Sequence, residues 1–170
     1  MLRLSLFLSA SALFAVSCAY SGSSEPEDPQ VGWVSFETRP GPFCGRCDSL
    51  KLTVFYDQHV LVEQGYWRGD YEDWQVSNRL VKVSPTALSN FLDRLAPHRP
   101  KDILVLREES QCESFWTDHP EVFVLWRDAK GYSQLHYNYG CDRELRQQLA
   151  EALSSAPRLL EITGLENPAD

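Results

Sequence analysis

The sequence lacks any apolar run long enough to cross a bilayer, and it lacks clusters of basic residues. Its longest apolar stretch lies near the N-terminus and falls short of the roughly 20 residues that a transmembrane helix needs. Acidic residues outnumber lysines and arginines by 24 to 16, which gives a formal net charge of −8. Nucleic acids and anionic lipid surfaces are bound through clustered lysines and arginines, so we predict neither as a partner.

Short motifs that mark common catalytic sites are also missing. The chain has no Gly-x-Ser-x-Gly, no glycine-rich phosphate loop and no His-Glu-x-x-His. Its histidines lack the spacing of a metal site, so we expect surface or turn positions for His59, His98, His119 and His136. The sequence therefore predicts no catalytic residue, no metal and no cofactor.

The first 17 residues have the pattern of a secretory signal peptide. One basic residue, Arg3, precedes the apolar run Leu4–Phe14, and small residues follow it. The stretch Ala15-Val16-Ser17-Cys18 resembles the bacterial lipoprotein signal, in which the cysteine is acylated, although Ala15 stands where that signal usually has leucine. We therefore predict a lipid on Cys18, with an ordinary signal peptidase cut after Ser17 or Ala19 as the alternative.

Composition divides the rest of the chain into three parts. Residues 18–30 are predicted to be a flexible tether, because they are rich in serine, proline and acidic residues and have almost nothing apolar to bury. Residues 31–163 predict a single domain with a substantial core, and residues 164–170 form a tail. This organisation predicts an exported protein of the bacterial periplasm, held at the membrane only through the lipid on Cys18.

The first half of the domain alternates apolar and polar residues as strands do. Val31–Glu37 and Leu50–Tyr56 alternate, and the turn at residues 57–59 leads into a further strand pattern at Val60–Glu63. Arg79–Val83 predicts one more short strand. The second half holds another hairpin, formed by strands at Val122–Trp126 and Gln134–Tyr139.

An amphipathic helix is predicted after each set of strands. Ser84 and Pro85 have the residue types of an N-cap and a first helical position, and the buried stripe is predicted to be Leu88, Phe91, Leu92 and Leu95. Asp142 is predicted to cap the second helix, whose buried side is predicted to hold Leu145, Leu149, Ala152 and Leu153. Each element has one apolar face to bury, so we predict an α+β fold: a twisted antiparallel sheet with both helices on one face, in the order hairpin, helix, hairpin, helix.

Several short motifs lie at the turns of this domain. They are the cysteine pair in Gly41-Pro42-Phe43-Cys44-Gly45-Arg46-Cys47, the lone Cys112, Thr117-Asp118-His119-Pro120, and Tyr139-Gly140-Cys141-Asp142 before the last helix. In these motifs the chain resembles a family of bacterial exported domains of unknown function, which usually spaces the first pair by three residues. The resemblance covers nearly the whole domain and implies its fold and compartment, without implying an activity.

The four cysteines of the domain are predicted to form two disulfides, because an exported domain with an even number of cysteines is usually oxidised. Three pairings are open from the sequence, and we favour Cys44 with Cys47 and Cys112 with Cys141. The second bond would close a loop of about 28 residues, which corresponds to roughly 3 kcal/mol in the loop-entropy model.

Two other uses of these cysteines are weaker. A thiol–disulfide exchange site at Cys44 and Cys47 would normally begin a helix, which lowers the pKa of the thiol, but a strand pattern begins at Leu50. A zinc site formed by all four cysteines would normally have two Cys-x-x-Cys pairs, and this chain has one.

One acidic and aromatic segment is a candidate ligand platform. Aromatic faces stack on sugars or peptide side chains, and carboxylates accept hydrogen bonds. The residues are Tyr66, Trp67, Asp70, Tyr71, Glu72, Asp73 and Trp74. The alternative is a hairpin extension whose aromatic side chains cover a sheet edge.

The sequence therefore predicts a non-enzymatic, disulfide-stabilised protein of the cell envelope that has a binding or structural role. Its partner would be an envelope protein or a ligand of unknown identity. The alternatives are a thiol–disulfide oxidoreductase that uses Cys44 and Cys47, and an inhibitor of an envelope enzyme.

Overall fold

The computed structural model describes residues 32–41, 48–68 and 73–165. The predicted signal peptide and tether, Cys18, and the pair Cys44 and Cys47 lie outside these residues. The described part has seven strands and two α-helices, which confirms the α+β class, and neither helix is long and apolar enough to span a membrane. The strands are β1 (Trp33–Arg39), β2 (Ser49–Phe55), β3 (His59–Arg68), β4 (Asp73–Lys82), β5 (Ile103–Leu106), β6 (Glu121–Asp128) and β7 (Gly131–Asn138), and the helices are α1 (Pro85–Leu95) and α2 (Gln147–Ser155).

All seven strands form one sheet in the order β4-β3-β2-β1-β6-β7-β5. Neighbouring strands are antiparallel except β5 and β7, which are parallel and place Leu104 beside Leu135. Strand β5 has no signal in the sequence, because its four apolar residues do not alternate with polar ones. Four strands precede α1, whereas a single hairpin would supply two.

One face of the sheet forms the core. Phe36, Leu52 and Val124 lie side by side on β1, β2 and β6, and all three are fully buried. Phe91 of α1 packs edge-on against Phe36 with ring centroids 6.4 Å apart, and Leu153 of α2 enters the same cluster. Because alternate strand residues face the helices, the period-two pattern of the sequence becomes a single buried layer.

Helix α1 begins as predicted. The Ser84 hydroxyl accepts a hydrogen bond from the N–H of Ala87 at 3.1 Å, and Pro85 occupies the first turn. This arrangement satisfies one of the N–H groups that have no partner inside a helix. Leu88 and Leu95 are buried on the predicted side of the helix, together with Phe91.

Helix α2 begins later than predicted, and Asp142 is not its cap. The helix starts at Gln147, and Asp142 has a φ of 49°, which is the left-handed region and not the extended backbone of an N-cap. Leu145 therefore lies in the turn before the helix and is 72% exposed, so its predicted burial is wrong. Leu149 and Leu153 are buried as predicted.

A partly buried ion pair connects the turn between β6 and β7 to the segment after α1. The Arg99 guanidinium donates to both carboxylate oxygens of Asp128, at 2.6 and 3.1 Å, and also to Ser133 Oγ at 2.8 Å. The Tyr56 hydroxyl donates to the same carboxylate at 3.0 Å. The hydrogen bond from Arg99 holds the pKa of Asp128 below its ordinary value, while burial and the hydrogen bond to Asp128 raise the pKa of Tyr56 to about 12.

We expect Arg99→Met to lower the free energy of unfolding by about 2 kcal/mol, because it leaves the mostly buried Asp128 carboxylate without its charged donor. Urea denaturation at pH 7 measures this change. Lys51→Met is the matched control: it removes an ion pair of similar length to Glu63 that is more exposed, and it should cost less than about 1 kcal/mol. Equal losses of unfolding free energy in the two variants would show that burial does not strengthen the Arg99–Asp128 ion pair.

Candidate binding cleft beside the disulfide

A disulfide joins Cys112 to Cys141, with Cα atoms 5.5 Å apart and a sequence separation of 29 residues. This confirms the pairing that the sequence favoured for these two residues. It also excludes a zinc site formed by all four cysteines, because neither sulfur is available as a thiolate. The bond connects the segment between β5 and β6 to the residues that follow β7.

The two connected segments also share backbone hydrogen bonds. The Trp116 N–H donates to the carbonyl of Gly140 at 2.9 Å, and the Asp142 N–H donates to the carbonyl of Ser114 at 2.9 Å. A side chain at Gly140 would place its Cβ 2.0 Å from the Trp116 carbonyl oxygen, closer than real Cβ atoms approach. Glycine at this position therefore allows the contact that brings residues 114–119 against the end of β7.

Asp142 is buried where these segments meet. Its carboxylate accepts the Ser114 N–H at 2.9 Å and the Nε–H of Arg146 at 3.2 Å. The backbone hydrogen bond from Ser114 is the main reason that the pKa of Asp142 lies below its ordinary value, and Arg146 lowers it further. Asp142 thus connects the Cys112 segment to the turn before α2, instead of capping the helix.

Beside this junction a cleft of about 430 Å³ opens between the turn at residues 117–120 and α2. Its volume falls within the range of about 300 to 1,000 Å³ that is usual for small-molecule sites. The lining residues come from the turn, the end of β7 and one side of α2: His119, Pro120, Tyr139, Arg143, Gln147, Ala150, Glu151 and Ser154. We call this feature the cleft.

Three polar groups of the cleft have no partner among the residues that the structure describes. Arg143 makes no ion pair, the ring of His119 makes no hydrogen bond, and neither does the hydroxyl of Tyr139. Burial raises the pKa of Tyr139, so its hydroxyl is a neutral hydrogen-bond donor at physiological pH. Gln147 differs, because its amide donates to Glu151 at 2.8 Å.

A larger depression of about 940 Å³ adjoins the cleft, and we call it the groove. Arg143 and Gln147 line both features, so the two meet there. Trp116 lines the groove and is 62% exposed, and Leu145 lies in its wall. Glu113 and Glu144 also line the groove, so acidic side chains lie there beside Arg143 and Trp116. Tryptophan and arginine are residue types that are enriched in binding hot spots.

The predicted platform at residues 66–74 is only partly described. Trp67 and Trp74 are register partners near the end of the β3–β4 hairpin, and the ring of Trp74 covers Gly65. Tyr66 and Trp74 are each partly exposed. Asp70, Tyr71 and Glu72 lie outside the described residues, as do the side chains of Trp67 and Asp73. The platform stays a prediction.

His136 is not a surface histidine. It is buried, its Nε2 lies 2.8 Å from a carboxylate oxygen of Glu121, and its ring packs edge-on against Phe123. The reason is β5, which pairs with β7 and makes β7 an inner strand, with Val105 beside His136. Within the described ranges, no three histidine, cysteine, aspartate or glutamate side chains cluster as metal ligands would.

Sequence patterns indicated part of the cleft and missed the rest. His119 and Tyr139 belong to motifs that were noted for a family resemblance, whereas Arg143, Gln147 and Trp116 carried no signal of their own. No protein-family model matches the chain, and no curated protein is similar enough in sequence to count as a relative. The assignment of the site therefore depends on geometry.

Asp142 should make the stability of the domain depend on pH below about 4. Its folded pKa lies below the unfolded value of 3.8, so its contribution is present above that value and is lost as the pH falls through the folded pKa. We expect the unfolding temperature of Asp142→Asn to be lower at pH 7 and to change less between pH 5 and 2 than that of the wild type. Calorimetry over this range measures both, and parallel curves would contradict the assignment.

Proposed function

We propose that the protein is an exported, disulfide-stabilised binding domain of the bacterial cell envelope, held by a lipid on Cys18, and that it binds its partner through the cleft and the groove. The observation that carries this proposal is the convergence, in one cleft, of three polar groups without a partner among the described residues, on Arg143, His119 and Tyr139. Arg143 is exposed, and His119 and Tyr139 are half-buried, so these groups are available to an external partner. Ligand pockets use a few such polar groups to orient a ligand.

The groove adds apolar contact area to this polar set. Trp116 and Leu145 are both exposed although each would gain free energy by burial, at about 25 cal/mol per Å² of apolar surface removed from water. A partner that covers the groove would bury them while its polar groups meet the donors of the cleft. This division into an apolar contact and a polar rim is typical of protein interfaces and ligand sites.

The Cys112–Cys141 bond supports the proposed compartment. Disulfides persist in the periplasm and are rare in the reducing cytosol, so a domain that depends on one is expected to be exported. The oxidoreductase alternative rests on Cys44 and Cys47 alone, which lie outside the described residues. The part of the chain that the structure describes offers no contact that favours it.

Intact mass of the mature protein isolated from the native envelope tests the compartment and the cysteine assignments. We expect a Cys18 N-terminus with the added mass of acyl chains, and no thiol alkylation before reduction. A free, unmodified N-terminus at Cys18 or at Tyr20 would contradict the lipid, and rapid alkylation of Cys44 and Cys47 in fresh protein would support the oxidoreductase instead.

Site-specific photo-crosslinking in intact cells tests the binding surface. A photoreactive residue at Gln147, where cleft and groove meet, should form one dominant adduct, whereas the same residue at the exposed Asn90 of α1 should not. Adding Trp116→Ala should reduce the Gln147 adduct at least fivefold, because it removes the apolar contact. Equal labelling at the two positions, or an adduct insensitive to Trp116→Ala, would refute this surface.

A further inference from the structure

We infer that the cleft binds a carboxylate carried on an apolar group, with Arg143 as the side chain that holds the anion. The inference rests on the proposed function and names the chemistry of its ligand. Acidic side chains of the protein itself pair with Arg39, Arg99, Arg107 and Arg146. Arg94, Arg127 and Arg143 make no ion pair among the described residues, and Arg143 is the one of these three that lines the cleft.

Arg143 is exposed and lines both the cleft and the groove. It lies three residues before Arg146, but Asp142 accepts from Arg146 and leaves the neighbouring guanidinium without an acidic partner in the described part of the chain. Arg143 is therefore available to an external anion, and the ring of His119 and the hydroxyl of Tyr139 line the same cleft. A guanidinium offers parallel N–H groups that match the two oxygens of a carboxylate.

The other polar groups of the cleft favour the same ligand. The hydroxyl of Tyr139 and the ring of His119 can each donate a hydrogen bond to an anion. Among the described residues that line the cleft, Glu151 is the only acidic one, and its carboxylate accepts the amide of Gln147 at 2.8 Å. Part of its hydrogen-bonding capacity is therefore already used within α2.

The charge and the lining of the cleft favour a carboxylate over a phosphate as its ligand. One arginine balances one negative charge, and a dianion would remain under-compensated in an acidic domain beside Glu151. The remaining walls are Pro120, Ala150, Ser154 and the ring of Tyr139. The Ser154 hydroxyl donates to the carbonyl of Glu151 at 3.2 Å, and the other three offer apolar contact. The cleft therefore fits a monoanionic group with an apolar body next to it.

The carboxylate has two possible sources, a small organic acid or the C-terminus of a peptide. The cleft continues into the groove at Arg143 and Gln147, and the groove holds the exposed Trp116. A peptide whose last residue occupied the cleft would extend its preceding residues across this tryptophan. A small acid would fill the cleft and leave the groove empty.

Titration of the ¹⁵N-labelled domain with N-acetylleucine, followed by two-dimensional NMR, tests the inference. We expect saturable shifts of amides in residues 117–119 and 139–147, and at least tenfold weaker binding of N-acetylleucinamide, which lacks the charge. Arg143→Gln should weaken the acid at least tenfold, whereas Arg94→Gln, on α1 and outside the cleft lining, should leave it unchanged. Tighter binding of N-acetyl-Ala-Ala-Leu than of N-acetylleucine would identify a peptide C-terminus as the source, and equal binding a small acid.

Equal binding of acid and amide, an unchanged Arg143→Gln variant, or no saturable shift up to about 50 mM would overturn the inference. The crosslinking experiment keeps the two proposals separate. A Gln147 adduct without N-acetylleucine binding means that the surface binds a partner by other chemistry. Binding of N-acetylleucine without an adduct means that the cleft is a small-ligand site and that the proposed partner surface is wrong.

Discussion

The candidate site depends on the contact between residues 112–116 and residues 140–142. The disulfide closes a long loop, which by the loop-entropy model contributes about 3 kcal/mol, and two backbone hydrogen bonds align the segments beside it. The residues between β5 and β6 are mostly exposed and bury little apolar surface of their own. This contact holds residues 112–116 against the end of β7, and the turn that carries His119 is held there as well by the hydrogen bond from the Tyr139 N–H to the carbonyl of Pro120 at 3.0 Å.

The hairpin of β6 and β7 is held at its two ends by the partly buried Asp128 and the buried Asp142. At its turn, Asp128 accepts from Arg99 and Tyr56, which joins the turn to the segment after α1 and to the end of β2. At its open end, Asp142 accepts from Ser114 and Arg146. Each carboxylate has a lowered pKa because its donors favour the charged form, so both ends are stabilised at neutral pH and weakened by acid.

Charged side chains near the site differ in whether the fold supplies them with a partner. Asp142 is satisfied within the fold by a backbone N–H and Arg146, and Asp128 by Arg99. Arg143 has no such acidic partner in the described residues, although it is adjacent to Asp142 in the chain. The proposed binding role rests on the donors of the cleft, for which the described residues supply no partner.

The sequence by itself determined the strands around Phe36 and Leu52 and the start of α1 at Ser84, and it favoured the pairing of Cys112 with Cys141. Alternation and capping depend on neighbours in the chain, and the expectation of disulfides followed from an even number of cysteines in a predicted oxidising compartment. Only the tertiary structure decided the role of Asp142, the burial of His136 and the exposure of Leu145. Asp142 takes its hydrogen bond from a residue 28 positions away, and His136 is buried because β5 pairs beside it in parallel. Partners so distant in sequence leave no periodic pattern, and the cleft between the turn and α2 therefore forms only once the segments are packed together.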